Sequence, residues 1–268
     1  MRDLRRSAVA VSAALVGLCA AFALPAEAQA PAATAAAKPV VVELFTAEGC
    51  SDCPPAEAIA MKMEQQPLAG VDLIVLEEHV DYWNKYGWFD VFSSPDWTAR
   101  QEQYGKLGNG NPYTPEMVID GEAGFAGTDM KKAQAAVDTA MASPETSVTI
   151  ADAKVDPKGE GDFKVSVGPV QGGTPGDDAE VWLAVTEDGL HSAPNAGENS
   201  GHTLYHAAVL RYLHKIGEAN AKGDTSFTGD ARVKLNAKWN RANVNIVSFV
   251  QEKRSRKILG ATATKLTS

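Results

Sequence analysis

The chain has 268 residues, is 44% hydrophobic and 22% charged, and carries a net charge of −9. That length suits two domains, and the acidic balance argues against nucleic acid and against anionic membranes as partners. Removing the first 28 residues takes away three basic groups and two acidic ones, so the remainder stands at −10.

Arg2, Arg5 and Arg6 precede an uncharged Ala/Val/Leu-rich run from Ser7 to Leu24, then Pro25 and Ala26-Glu27-Ala28. This is the grammar of a secretory signal peptide, residues 1–28, with cleavage near Ala28. The run is short for a membrane span, which needs about 20 apolar residues, and no later segment is apolar enough. The mature chain is therefore expected to be soluble, periplasmic or secreted.

Residues 29–39 read as a flexible leader. Val40 to Thr46 is a short apolar run and reads as a buried strand. Gly49-Cys50-Ser51-Asp52-Cys53-Pro54-Pro55 follows, then a helix over 56–66 whose first turn takes the two prolines, where their missing N–H groups cost nothing. Val71 to Leu76 is a second buried strand, completing a βαβ unit. Residues 79–107 form an aromatic-dense insert in which Ser94 caps a helix opened by Pro95. Glu116 to Gly121 is a strand ending in the hairpin signal Asp-Gly, and 123–126 could be the next. A helix over 129–141 is capped by Thr128 or Asp129, and Ala142-Ser143-Pro144 is the best boundary. Beyond it, short strands at 148–155, 163–170, 180–187, 202–213, 232–235 and 243–252 alternate with Pro/Gly/Asp turns and suggest a small antiparallel sandwich. The expected architecture is an α/β domain over 40–143 followed by a β-rich domain over 144–268, α+β overall.

Cys19 leaves with the signal peptide, so the mature chain keeps only Cys50 and Cys53. An oxidising compartment penalises stray thiols, and a disulfide closing so small a loop stabilises little. The pair is better explained by chemistry than by stapling. A thiolate is the reactive form, and a helix N-terminus supplies partial positive charge and free N–H groups. Cys50 would attack and Cys53 would resolve the mixed disulfide. Glu48 and Asp52 oppose this by raising a neighbouring thiol pKa.

His79 and Asp81 end a strand where α/β sites gather. With Tyr82 and Trp83 they are either substrate and lid residues or a hydrogen-bonded pair and packing that pin the insert. Arg100 with Glu102 reads as a solvated helix face or an internal ion pair. His191, His202, His206 and His214 crowd one stretch without acidic or cysteine partners at zinc spacing. Glu198, Asn199 and His206 are candidate recognition residues, or Glu198 and Asn199 simply satisfy a polar turn.

The run Val41 to Thr46, the Cys-X-X-Cys and the helix after it resemble the thioredoxin superfamily. That resemblance implies a thioredoxin-like domain over 40–143 and a cis-proline facing the dithiol. Pro115 matches that position, with Thr114 shaping the substrate and Glu43 as the candidate proton relay, one residue from the superfamily's buried acid. Cys-X-X-Cys-Pro with a later His also resembles the copper-delivery proteins of that superfamily. On that alternative Cys50, Cys53 and His79, with Met61, would hold Cu(I); otherwise no cofactor is needed. More closely, Glu43 to Glu57, His79 to Trp83, Arg100-Gln101, Tyr113 to Pro115 and Gly197 to Gly201 with Thr203, Leu204 and His206 resemble DUF1223, a family of exported bacterial proteins. Three readings stay open: an exported thiol–disulfide oxidoreductase acting with a redox partner on proteins bearing thiols or disulfides, a copper carrier, and a non-catalytic binding scaffold.

Overall fold

Strand β1 (Lys38–Thr46) is buried from Val40 to its end, because it is an interior strand of a sheet covered on both faces. The computed structural model describes residues 37–66, 68–105, 110–219 and 226–266. The expected signal peptide, residues 1–28, and residues 29–36 of the expected leader lie outside the described residues. Helix α1 (Pro54–Gln65) starts on Pro54 and Pro55, with Cys53 at the N-cap position. β2 (Val71–His79) returns parallel to β1, setting Leu44 beside Glu77 and Thr46 beside His79. α2 (Pro95–Tyr104) begins as its sequence predicts, the Ser94 hydroxyl accepting from the Asp96 N–H. The hairpin β3 (Glu116–Ile119) and β4 (Ala123–Ala126) extends β1 on its other edge. Its turn puts Asp120 and Gly121 at φ 45° and 69°, the backbone an Asp-Gly pair adopts most readily. α3 (Met130–Ala142) is capped by Asp129, which accepts from the Lys132 N–H.

The second half is β throughout: β5 (Val148–Val155), β6 (Glu160–Val167), β7 (Ala179–Glu187), β8 (Leu190–Ser192), β9 (Leu204–His206), β10 (Val209–Ala219), β11 (Phe227–Lys234), β12 (Val244–Glu252) and β13 (Ile258–Lys265). Among the described residues the strands form an eight-stranded sheet in the order β13-β12-β7-β10-β2-β1-β3-β4, a three-stranded sheet β11-β6-β5 and the pair β8-β9.

The expectation of an α/β thioredoxin-like domain followed by a smaller sandwich is corrected here. The chain is mostly β, with three α-helices among the described residues, and its main sheet is mixed and draws strands from both sides of residue 144. The join is β10. It runs antiparallel to β7 along its length and meets β2 in parallel at Val209 opposite Glu77. A β2 left as a bare edge would expose unpaired N–H and C=O groups. Instead the Glu77 N–H donates to the Ala208 carbonyl.

Alternation along β1 and β2 assigns their side chains to two faces. Val40, Val42, Leu44 and Val75 face Ala56 and Ala60 of α1 and Val137 of α3. Val41, Ile74 and Leu76 face Trp97 of α2 and Val247, Phe249 and Ala261 of β12 and β13. A third core lies between the three-stranded sheet and the far part of the large one, where Phe163, Val165 and Val167 meet Val181, Leu183 and Ile246.

Candidate functional site

The chain leaves β1 into Ala47-Glu48-Gly49 and then closes Cys50 on Cys53, whose Cα atoms are 5.4 Å apart. The Cys53 carbonyl accepts from the Ala56 and Glu57 N–H groups, so the second cysteine opens α1. Both cysteines are buried, at 1% and 0% exposure, among Phe45, Val80, Tyr104 and Val118, with Tyr82 and Trp83 packed against them. Only Ser51 and Asp52 between them reach solvent.

Three segments pack around the dithiol loop and the start of α1. Trp83 lies on Gly49, where an added Cβ would come within 3.3 Å of its own Cβ, and its indole N–H donates to Thr114 Oγ1 at 2.8 Å. The Thr114–Pro115 bond is cis. Pro115 sits close to α1, since a Cβ on Gly127 would lie 3.2 Å from Pro115 Cβ and 2.9 Å from Ala56 Cβ. The third segment comes from far along the chain. Asn199 donates its amide to the Glu48 and Cys50 carbonyls, 2.9 Å each, and Glu198 Oε2 accepts from the Ser51 N–H (3.0 Å) and hydroxyl (2.7 Å). The Ser51 contacts hold the Glu198 carboxyl below its usual pKa. Two of the three recognition candidates, Glu198 and Asn199, therefore clamp the dithiol loop itself.

Two buried polar networks flank this loop, one on each face of the β1–β2 pair. On the α2 face, Arg100 Nε stands 2.5 Å from Glu43 Oε1 and 3.4 Å from Glu78 Oε1, and Tyr104 donates to Glu43 Oε2 at 2.6 Å. Gln251 closes the network by donating to Tyr104 (2.7 Å) and accepting from Arg100 (3.2 Å). Burial, then the neighbouring Glu43, hold the Glu78 carboxyl well above its usual range. Glu43 is thus engaged by Arg100 and Tyr104. Arg100 is buried and pairs with Glu43 and Glu78, whereas the sequence alone sets it beside Glu102.

On the α1 face lie Glu57 from the first turn of α1, Glu77 and His79 from β2, and His206 from β9, with Glu48 and Asp90 from the loops. His79 Nδ1 is 2.7 Å from Asp90 Oδ2. A carboxylate only accepts, so this nitrogen carries the proton. His79 Nε2 then faces inward, 3.9 Å from Glu77 Oε1. His206 stacks edge-on against it, ring centroids 4.8 Å apart. His206 Nδ1 is 3.6 Å from both Glu57 and Glu77, and its Nε2 is 3.4 Å from Glu48. Burial pulls the His206 imidazole down, but Glu48, Glu57 and Glu77 outweigh it and push it up to about 12. For His79, burial also lowers and Asp90 raises, with a net upward shift. Asp90 answers with a downward one, His79 overcoming the effect of burial. Beside His206 a cavity of about 700 Å³ opens between β2 and the β7, β12 and β13 strands, with Glu64, Asp72 and Asp188 on its wall. Burial and Asp188 push Glu64 up to about 8.

Asp81 clamps the insert to α2, accepting from the Thr98 hydroxyl at 2.6 Å, and the Tyr82 hydroxyl donates to Gln101. The structure brings His79 and His206 together and leaves His191, His202 and His214 elsewhere on the surface. Sequence reasoning passed over Glu57, Glu77 and Asp90. One signal was available: Glu77 and His79 stand two apart at the end of an otherwise apolar strand, hence on one buried face.

The family model for proteins of unknown function, DUF1223, matches residues 41–251. None of the curated proteins matches the chain. Protein AGR_C_4864 from Agrobacterium tumefaciens is similar over 87% of this chain and 98% of its own, at 23% identity and a TM-score of 0.60. HBP35 of Porphyromonas gingivalis is similar over 86% of this chain and 76% of its own, at 18% identity and a TM-score of 0.64. At such identities the likeness bears on the fold alone.

Proposed function

We propose that this chain, which belongs to the DUF1223 family, is an exported protein that exchanges thiols and disulfides through Cys50 and Cys53. The observation that carries the reading is the position of the pair. It closes at the N-terminus of α1 beneath a clamp, Glu198 and Asn199, that hydrogen-bonds directly to its loop. A helix N-terminus favours the thiolate that exchange requires.

In the reduced pair, the Cys50 thiolate attacks a substrate disulfide, forming a mixed disulfide and releasing one substrate thiolate. The Cys53 thiolate then attacks the Cys50 sulfur, releasing the second substrate thiolate and closing the Cys50–Cys53 bond. Two electrons pass to the substrate, and a dithiol redox partner returns them. The reverse sequence oxidises a substrate. Because both cysteines are buried, either direction requires the clamp or the Trp83 cover to open. Substrates would be exported proteins bearing thiols or disulfides.

The test is the reduction potential of the pair, combined with a Cys53→Ser trap in cells. A potential within the range of exchange proteins and captured mixed disulfides are expected. A potential below about −300 mV marks a bridge that resists the glutathione pool; that value, together with an empty trap, would refute the reading.

A further inference from the structure

We propose that Glu57, Glu77, His79 and His206 form a binding site for a divalent first-row metal ion, with a donor set suited to Zn(II). The site is independent of the two cysteines.

Buried polar atoms are nearly always hydrogen-bonded. Here Glu57 Oε2, Glu77 Oε1, His79 Nε2 and His206 Nδ1 have no hydrogen-bond partner among the described residues. All four side chains are buried, His206 being the most exposed at 2%. The ligand atoms of Glu77, His79 and His206 lie within 4.8 Å of one another. Glu57 joins through its 3.6 Å approach to His206 Nδ1. Separations of 3.6–3.9 Å within this set are too long for hydrogen bonds. They match what ligands about 2.0–2.2 Å from a shared ion require of one another, roughly 3–4 Å.

Three of the four outer atoms of the same residues are hydrogen-bonded. The second oxygen of Glu57 accepts from the Thr46 hydroxyl at 2.6 Å, and that of Glu77 from the Ala207 N–H at 2.6 Å. The far nitrogen of His79 is on Asp90. The far nitrogen of His206 lies 3.4 Å from Glu48 Oε1 without a hydrogen bond, and the other Glu48 oxygen accepts from the Trp88 indole. Each imidazole thus has a carboxylate behind it, the arrangement that orients and strengthens metal-ligating histidines. Two imidazoles and two carboxylates suit zinc, iron or manganese, whereas Cu(I) favours sulfur. Two ligand carboxylates balance the charge of a divalent ion. A cavity with Glu64, Asp72, Asp188 and Lys265 on its wall adjoins the set at His206.

The competing explanation is a closed ion cluster, with a protonated His206 among the glutamates. Mature protein stripped with a chelator and dialysed would be titrated calorimetrically with ZnCl2 and, separately, MnCl2, with thermal melts alongside. One Zn(II) per chain and a raised melting temperature are expected. The Cys50→Ser/Cys53→Ser variant should bind zinc as the parent does. Glu77→Gln, which keeps the acceptor for Ala207, and His206→Gln should each weaken binding at least 100-fold. Asp90→Asn should weaken it about 10- to 100-fold by loosening His79. Circular dichroism would establish that each variant is folded; for any that is not, the parent's stoichiometry and the cysteine control still decide. Folded parent that binds neither ion at micromolar concentration, or zinc binding lost with the cysteines and kept in Glu77→Gln, would overturn the site.

Discussion

Arg100→Leu isolates what the buried network on the α2 face contributes. Arg100 is the cation nearest two buried glutamates, at 2.5 Å from Glu43 and 3.4 Å from Glu78. Leucine keeps most of the apolar stem but leaves the Glu43 charge without its partner. Removing one member of a buried pair typically costs about 3–5 kcal/mol, because the remaining charge stays desolvated. For a chain of this size that corresponds to a melting temperature lower by on the order of 10 °C. Adding Glu43→Gln should return part of the loss, since glutamine still accepts from the Tyr104 hydroxyl without a charge. A double-mutant cycle should therefore show a coupling of about 2 kcal/mol. Urea unfolding measures both quantities. A loss below 1 kcal/mol, or no rescue by Glu43→Gln, would show that the network does not hold β1, β2 and α2 together as argued.

Asn199→Ala removes both donors to the Glu48 and Cys50 carbonyls. It should cost about 1–3 kcal/mol and, by loosening the clamp, speed reduction of the disulfide by dithiothreitol; an unchanged reduction rate would mean that the loop 197–201 does not limit access. Asp120 is pushed by burial from its ordinary 3.8 to about 7. A carboxyl that holds its proton more tightly when folded stabilises fully below about pH 4 and loses that contribution as pH rises towards 7. Asp120→Asn, which keeps an acceptor for the Val41 N–H and tolerates a positive φ, should therefore flatten the decline in urea midpoint between pH 4.5 and 7.5. Parallel curves for variant and parent would remove Asp120 as a source of that slope.

What the sequence determined by itself is local. Ser94 and Asp129 cap their helices as read, because capping needs only a side chain and N–H groups two or three residues ahead. Pro54 and Pro55 mark the start of α1, and Asp120-Gly121 marks a turn, for the same reason. The position of Cys50 and Cys53 between a strand and a helix was also legible, since period and punctuation change within a few residues. Tertiary structure decided the rest. Nothing in the spacing of His206 predicts its place beside His79, because that contact exists only after β10 has paired with β2 and brought the Ala207 N–H onto Glu77. The same pairing turned an expected α/β domain and separate sandwich into one mixed eight-stranded sheet. It follows from satisfying the edge of β2, a requirement that many strands could meet and that only global packing assigns to one.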